Sequence, residues 1–337
     1  MRARRVLPNP ATDTLPRRDV LRIVTVLLAA VALVVVVVTA LLLGSALLHL
    51  HPVYPILLLI TALGALLLLI RGVGGRRRAA RGRRRRVWLR ALLLVPAILW
   101  LAMLMWLRPY PAQAHALQAM RTDDAVTVTE TTTEITLLPK RQRPEEGAQL
   151  GVFFQPGALV DARAYAATLR PLAERGHPVV IAKQPLNIAF LALDAFDRAR
   201  AGHPSVREWV VSGHSLGGTV AAMHAEAEQD ADRAPAAGLL LYASYPAGDL
   251  SDVLRTPVES VSGSRDGLAI PAKISASREN LPAGAHFTVI AGAVHAQFGD
   301  YGPQAGDGRP TISDAAARQA IVEASTALLA RVSADTP

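Results

Sequence analysis

A chain of 337 residues, 51% of them hydrophobic and with a mean hydropathy of +0.27, is more apolar than an ordinary soluble domain and long enough for one globular domain besides. Its net charge of +9 is uneven: residues 1–109 hold 17 arginines against Asp13 and Asp19, or +15, while residues 110–337 set 19 lysines and arginines against 25 acids, or −6. The absence of cysteine excludes disulfides, thiol nucleophiles and cysteine-built metal centres.

In chain order, residues 1–22 form a basic tail carrying Arg2, Arg4, Arg5, Arg17, Arg18 and Arg22. Residues 23–48 then run without a charge, longer than the roughly 20 apolar residues that take a helix across a bilayer. A second apolar run, 53–70, follows a short link with His49, His51 and Pro52. A third, 88–107, is bracketed by Trp88, Trp106 and Tyr110 in the manner of interfacial aromatic belts. All three are predicted to be transmembrane helices; the first is too long for a signal peptide and lacks a cleavage pattern. Between the second and third lies an arginine-rich loop, 71–86. Short basic segments stay cytoplasmic, so tail and loop are placed inside, and three crossings put everything after Arg108 on the extracytoplasmic face of the cell membrane. The loop has neither interleaved aromatics nor a nucleic-acid module, so its expected partner is anionic lipid headgroups and no nucleic acid is expected. Gly72, Gly74 and Gly75 lack the strand and the Lys-Ser/Thr pair of a phosphate loop. Only Arg90, near an edge, is charged within the spans, which suits an anchor better than a transport pathway.

Residues 109–125 read as a linker with a short helix at 112–118. The β-branched, partly alternating stretch 126–138 reads as an edge strand. After a polar turn, strands at 150–154, 178–182 and 208–211 are each followed by a helical stretch, at 161–175, 186–201 and 216–229. Further strands are predicted at 238–242, 258–261 and 286–290, and 313–332 closes as an amphipathic helix with Ile321, Leu328, Leu329 and Val332 on one face. Residues 126–337 are thus expected to form an α/β domain with a mostly parallel sheet and helices on both faces.

Within it, Gly213-His214-Ser215-Leu216-Gly217 stands between the apolar strand EWVV and the helix LGGTVAAMHAEAE. A sharp strand-to-helix turn needs small neighbours, here Gly213 and Gly217, to stand a serine hydroxyl clear of the sheet, while the helix N-terminus offers amides to developing negative charge. A serine is a poor nucleophile without a base, and a base needs an orienting carboxylate. The stretch VESVSGSRDGLA puts Asp266 just after a strand, and FTVIAGAVHAQFGDYG puts His295 in the loop after the last strand. Ser215, Asp266 and His295 are therefore the candidate catalytic residues. His214 and His224 sit in the elbow and its helix. His177, His203 and His286 lie at strand beginnings, and His115 near the membrane exit. Asp249, Asp252, Asp300 and Asp307 read as surface carboxylates. The oxyanion requires two backbone amides, one from Leu216 and one from the turn FFQPGALV, where Gly157 and Ala158 are the candidates and Leu159 a third.

With these residues in view, 150–332 resembles the α/β-hydrolase superfamily. PGALVDARAY, GHSLGG, SGSRDGL and HAQFGDYG are similar to its compact "hydrolase fold-5" type, and the membrane segment has no part in the likeness. The resemblance implies Ser215 as nucleophile, His295 as base and Asp266 as acid in a serine hydrolase acting on an ester or similar acyl bond, with no metal or cofactor. It departs at Ala158, where the family's turn often carries a second glycine. Residues 243–257 are too few for a helical lid, which predicts an open, shallow pocket for small acyl esters or for substrates presented at the membrane surface. The competing expectations are a catalytically idle surface binding module and an acyltransferase.

Overall fold

The computed structural model describes residues 17–73, 83–140, 149–227 and 235–335. The basic tail before residue 17 and most of the arginine-rich loop lie outside the described residues. The chain forms two compact units, the first from the residues up to Leu42 together with Ile56–Trp106, the second from Leu43–Pro55 and Leu107–Pro337.

The first unit contains the long helices α1 (Arg17–Leu43), α3 (Val53–Val73) and α4 (Arg83–Trp106); the short α2 (Ala46–His49) lies in the link and belongs to the second unit. Small residues line the contacts inside the bundle, with Ala29 and Ala65 buried, whereas Leu27, Leu41 and Ile70 point their apolar side chains outward. Trp100 donates its indole N–H to Thr61 Oγ1 at 2.9 Å, which satisfies a polar pair among apolar neighbours. Two helices have the length and composition to cross a membrane, Leu21–Leu43 and Val53–Gly72. Of the expected third span, 88–107, the described part gives a shorter apolar stretch, Leu92–Trp106, at the end of α4. The first span also ends earlier than residue 48, because Gly44 turns the backbone into the left-handed region (φ 53°).

The second unit begins, after the link, with α5 (Ala114–Ala119) and then a sheet of eight strands. These are β1 (Val126–Glu130), β2 (Glu134–Pro139), β3 (Gln149–Gln155), β4 (Val179–Ala182), β5 (Val206–His214), β6 (Gly238–Tyr242), β7 (Val258–Gly263) and β8 (His286–Ile290). Their order across the sheet is β1-β2-β4-β3-β5-β6-β7-β8, with β1–β2 and β2–β4 antiparallel and every other pair parallel. What read as one edge strand at 126–138 is a hairpin turning through residues 131–133. The parallel strands are nearly continuous apolar runs because both faces are covered. Alternation then divides the core. Val152 and Phe154 point to the side of α6 (Ala166–Glu174) and α10 (Asp314–Asp335), whereas Phe153 joins Phe196 of α7 (Ala195–Gly202) and Ala221 of α8 (Leu216–Ala227).

The helix expected at 186–201 is also corrected. Leu186 and Asn187 have φ values of 54° and 55°, which breaks the stretch into two 3₁₀ turns before α7 begins. A short helix not anticipated, α9 (Pro271–Ala276), follows β7. Residues 243–257, between β6 and β7, contain only turns and no helix.

Candidate active site

Strand β5 delivers Ser215 to the carboxyl edge of the sheet with its backbone in the left-handed region, φ 51°, a conformation that costs a non-glycine residue roughly 1–3 kcal/mol. The neighbours hold it there. Ser215 N–H donates to the Tyr242 carbonyl at the end of β6 (2.9 Å), and Ser244 Oγ–H donates to the Ser215 carbonyl (2.7 Å). The turn closes only because two positions lack a side chain. A Cβ on Gly213 would strike the Gly217 backbone, and one on Gly217 would strike the carbonyls of Gln155 and Pro156. Leu216 opens α8, so its amide has no acceptor within the helix and remains available beside the serine.

Strands β7 and β8 supply the other two candidates. Asp266 and His295 are buried, 3% and 2% exposed, and His295 Nδ1 donates to Asp266 Oδ2 at 2.8 Å. The remaining oxygen, Oδ1, accepts the amides of Leu268 and Ala269 at 2.8 and 2.7 Å, which fixes the carboxylate. With Nδ1 donating, the tautomer leaves Nε2 as the acceptor that a base requires. The Ser215 hydroxyl and His295 are not hydrogen-bonded to each other. His214, the residue before the serine, has its ring centroid 4.4 Å from that of His295. Such nucleophile–base contacts are often loose before substrate binds.

The turn after β3 distinguishes the proposed oxyanion amides. The Gly157 amide already donates to the Tyr165 hydroxyl (2.9 Å), which corrects its candidacy, and Leu159 donates to the Asn187 carbonyl (2.8 Å). Among the described residues the Ala158 amide has no acceptor, which leaves it alongside that of Leu216.

Three residues matter here that the sequence did not mark. Asp307, expected to be a surface carboxylate, is half-buried and ties the acid loop to the base loop. Its Oδ1 accepts the amides of Gly267 (3.0 Å), His295 (3.2 Å) and Gly308 (2.7 Å), and its Oδ2 that of Ala296 (2.8 Å). Tyr165 links Gly157 to the Nδ1 of His214, 2.8 Å away. His214 is buried, and its pKa is held well below 6.5, first by desolvation and then by the neighbouring His295. No local pattern announces these roles; each joins partners distant in sequence.

The remaining candidates lie elsewhere. His224 packs between Phe153 and Phe196, His177 Nδ1 lies 3.2 Å from the Leu150 carbonyl, and His203 approaches Glu134 at 3.4 Å. His286 begins β8, at the opposite edge from Ser215. Asp300 pairs with Arg318, and Asp249 caps Ser251.

No curated protein matches the chain. Solved structures similar to it include the esterase Est1E from Butyrivibrio proteoclasticus (15% identity, 61% of this chain and 100% of that one, TM-score 0.43). An esterase from Pyrobaculum calidifontis is similar at 14% identity, 65% and 89% coverage and a TM-score of 0.46. A thermostable esterase from Pseudomonas putida is similar at 17%, 63% and 87%, with a TM-score of 0.42. The model of the alpha/beta hydrolase family matches residues 151–319, from β3 into α10. That match takes in half of the sequence and every strand from the elbow to the last, and by it the chain belongs to the alpha/beta hydrolase family.

Proposed function

We propose that the protein is a membrane-anchored serine hydrolase that cleaves an ester or similar acyl bond through Ser215, His295 and Asp266. The observation that carries this reading is the buried 2.8 Å His295–Asp266 contact beside a serine held at positive φ at the head of a helix. In the reaction, Ser215 Oγ bonds to the acyl carbon and gives its proton to His295 Nε2. The amides of Leu216 and Ala158 receive the negative charge on the carbonyl oxygen. The bond to the leaving alcohol breaks and the alcohol takes the proton from His295. Water then attacks the acyl-enzyme, its proton passing through His295 back to Ser215 as the carboxylic acid departs. Asp266 holds the ring and stabilises its charged form.

The anchor comprises α1 and α3 with α4 as the third passage, the tail and arginine-rich loop in the cytoplasm beside anionic headgroups, and the hydrolase domain outside. Support comes from the division of the chain: Leu43–Pro55, between α1 and α3, belongs to the same compact unit as the hydrolase domain, so both lie on one side. An odd number of crossings before Leu107 gives that arrangement.

The test is labelling of the full-length protein by a fluorophosphonate. Wild type should be labelled, and both Ser215→Ala and His295→Ala should abolish the adduct. A folded wild type that takes no label overturns the hydrolase reading in favour of a binding module.

A further inference from the structure

We infer that the carboxyl edge of the sheet works against the bilayer surface and that the substrate is a long-chain acyl ester held in that surface; the inference rests on the hydrolase and anchor readings above. The chain passes between the second unit and the apolar helices at two places, and the second unit fastens both at the edge where Ser215 opens.

The first is the exit from α4. Tyr110 donates its N–H to the Leu159 carbonyl (2.7 Å), and its own carbonyl accepts from Asp161 N–H (3.0 Å). Leu159 adjoins Ala158, the proposed oxyanion donor. On its other side the exit segment meets the loop that follows His295: Gln113 N–H donates to the Asp300 carbonyl (2.8 Å), and the Tyr110 and Tyr301 rings lie 5.9 Å apart. Only three residues lie between Trp106 and Tyr110, and four steps of chain reach at most about 14 Å.

The second is the link. His49 Nδ1 lies 2.8 Å from Glu130 Oε2, and Lys183 Nζ donates to Glu130 Oε1 (3.1 Å) and to the Thr131 carbonyl (2.6 Å). Glu130 ends β1, and Glu134 stands opposite Ala182, the last residue of β4. The hairpin turn and Lys183 therefore sit at the carboxyl end of β4, on the serine's edge. Four residues after His49, α3 begins.

The surface of this edge suits a lipid interface. Phe190, Leu191 and Leu193, on the loop leaving β4, and Leu268 and Ile270, just past Asp266, are 36–52% exposed, and Leu48 of the link is 85% exposed. The first loop is tied to the site itself by the Leu159–Asn187 hydrogen bond. Large apolar side chains around a reactive serine are unfavourable in water and at home in the headgroup boundary. The connection 243–257 supplies no helix to enclose a long chain, so the bilayer keeps the acyl tail while its carbonyl reaches Ser215.

The cysteine-free sequence allows a direct test on the full-length protein in phosphatidylcholine vesicles. Single variants Leu191→Cys and Leu193→Cys, on the carboxyl edge, and Ser205→Cys, at the amino end of β5, would carry a fluorophore and meet nitroxide-labelled lipid. Quenching at residues 191 and 193 at least threefold greater than at 205 is the expected result. Turnover of a long-chain acyl ester dissolved in the vesicles should also exceed that of a butyrate ester in water by tenfold or more in kcat/KM. Equal quenching, or preference for the soluble ester, in a protein that still takes the fluorophosphonate overturns this inference and leaves the hydrolase reading standing. Failure of fluorophosphonate labelling, with quenching intact, instead sinks the hydrolase reading and the substrate class with it.

Discussion

Between Tyr165 and His295 the proton of His214 has one place to be. Tyr165 accepts the Gly157 amide, and among the described residues His214 Nδ1 is the acceptor within reach of its own hydroxyl, so the imidazole carries its hydrogen on the buried Nε2. Charging this ring would set two donors against each other in a desolvated site. Desolvation first, and then the neighbouring His295, hold the folded pKa well below the unfolded value of 6.5. Below pH 6.5 the unfolded chain binds the extra proton and the folded one does not, so stability falls with pH by at most about 1.4 kcal/mol per unit until the folded pKa is reached. His214→Asn keeps an acceptor for Tyr165 but cannot be protonated. It should flatten the decline of the thermal midpoint between pH 6.5 and pH 4.5 measured on otherwise identical protein. Tyr165→Phe removes the hydroxyl that both Gly157 and His214 use. A loss of about 1–3 kcal/mol in urea unfolding is expected, with slower fluorophosphonate labelling as the neighbouring Ala158 amide loses its support.

At the level of elements, the elbow and the clasp behind it govern the site. Gly217→Ala would press a methyl group into two backbone carbonyls that cannot yield. It should cost about 3 kcal/mol and lower the labelling rate even in the folded fraction. Asp307→Ala strands four amides and frees the loops of Asp266 and His295 from each other. Steady-state assays should show kcat reduced at least tenfold with KM nearly unchanged; an unaltered kcat would mean the loops hold themselves. Chain order and local context made parts of this legible. The strand at 238–242 stood out because a buried parallel strand is an unbroken apolar run between polar turns, and the serine's setting followed from glycines between a strand and a helix. The pattern failed where conformation was decided by single residues or by distant partners. Nothing in the periodicity of 186–201 says that Leu186 and Asn187 adopt left-handed backbone. Asp307 binds amides up to 40 residues away, and no spacing rule reports that.

For the whole molecule, the joint at Lys183 is the point to probe. Its ammonium is 5% exposed, and Glu130 is its carboxylate partner. Glu130→Ala would leave that charge buried and release His49, at a cost on the order of 3 kcal/mol visible in the thermal midpoint of the full-length protein. The link is thus a component of the domain's fold, and a piece starting at Tyr110 would lack it and should melt below the full-length protein.

That joint also sets an order of events in biosynthesis. His49 and Glu130 are 81 residues apart, and two long helices are made between them. The ribosome releases the link early, so it must wait, unpartnered, until α3 and α4 have been placed and the hairpin of β1 and β2 arrives. Under the proposed three-passage anchor, a wrongly threaded α3–α4 pair would leave link and hairpin on opposite sides of the membrane, with the sheet's edge open at Lys183. On that proposal the fold of the hydrolase domain depends on correct insertion of a segment completed before any of its strands exists.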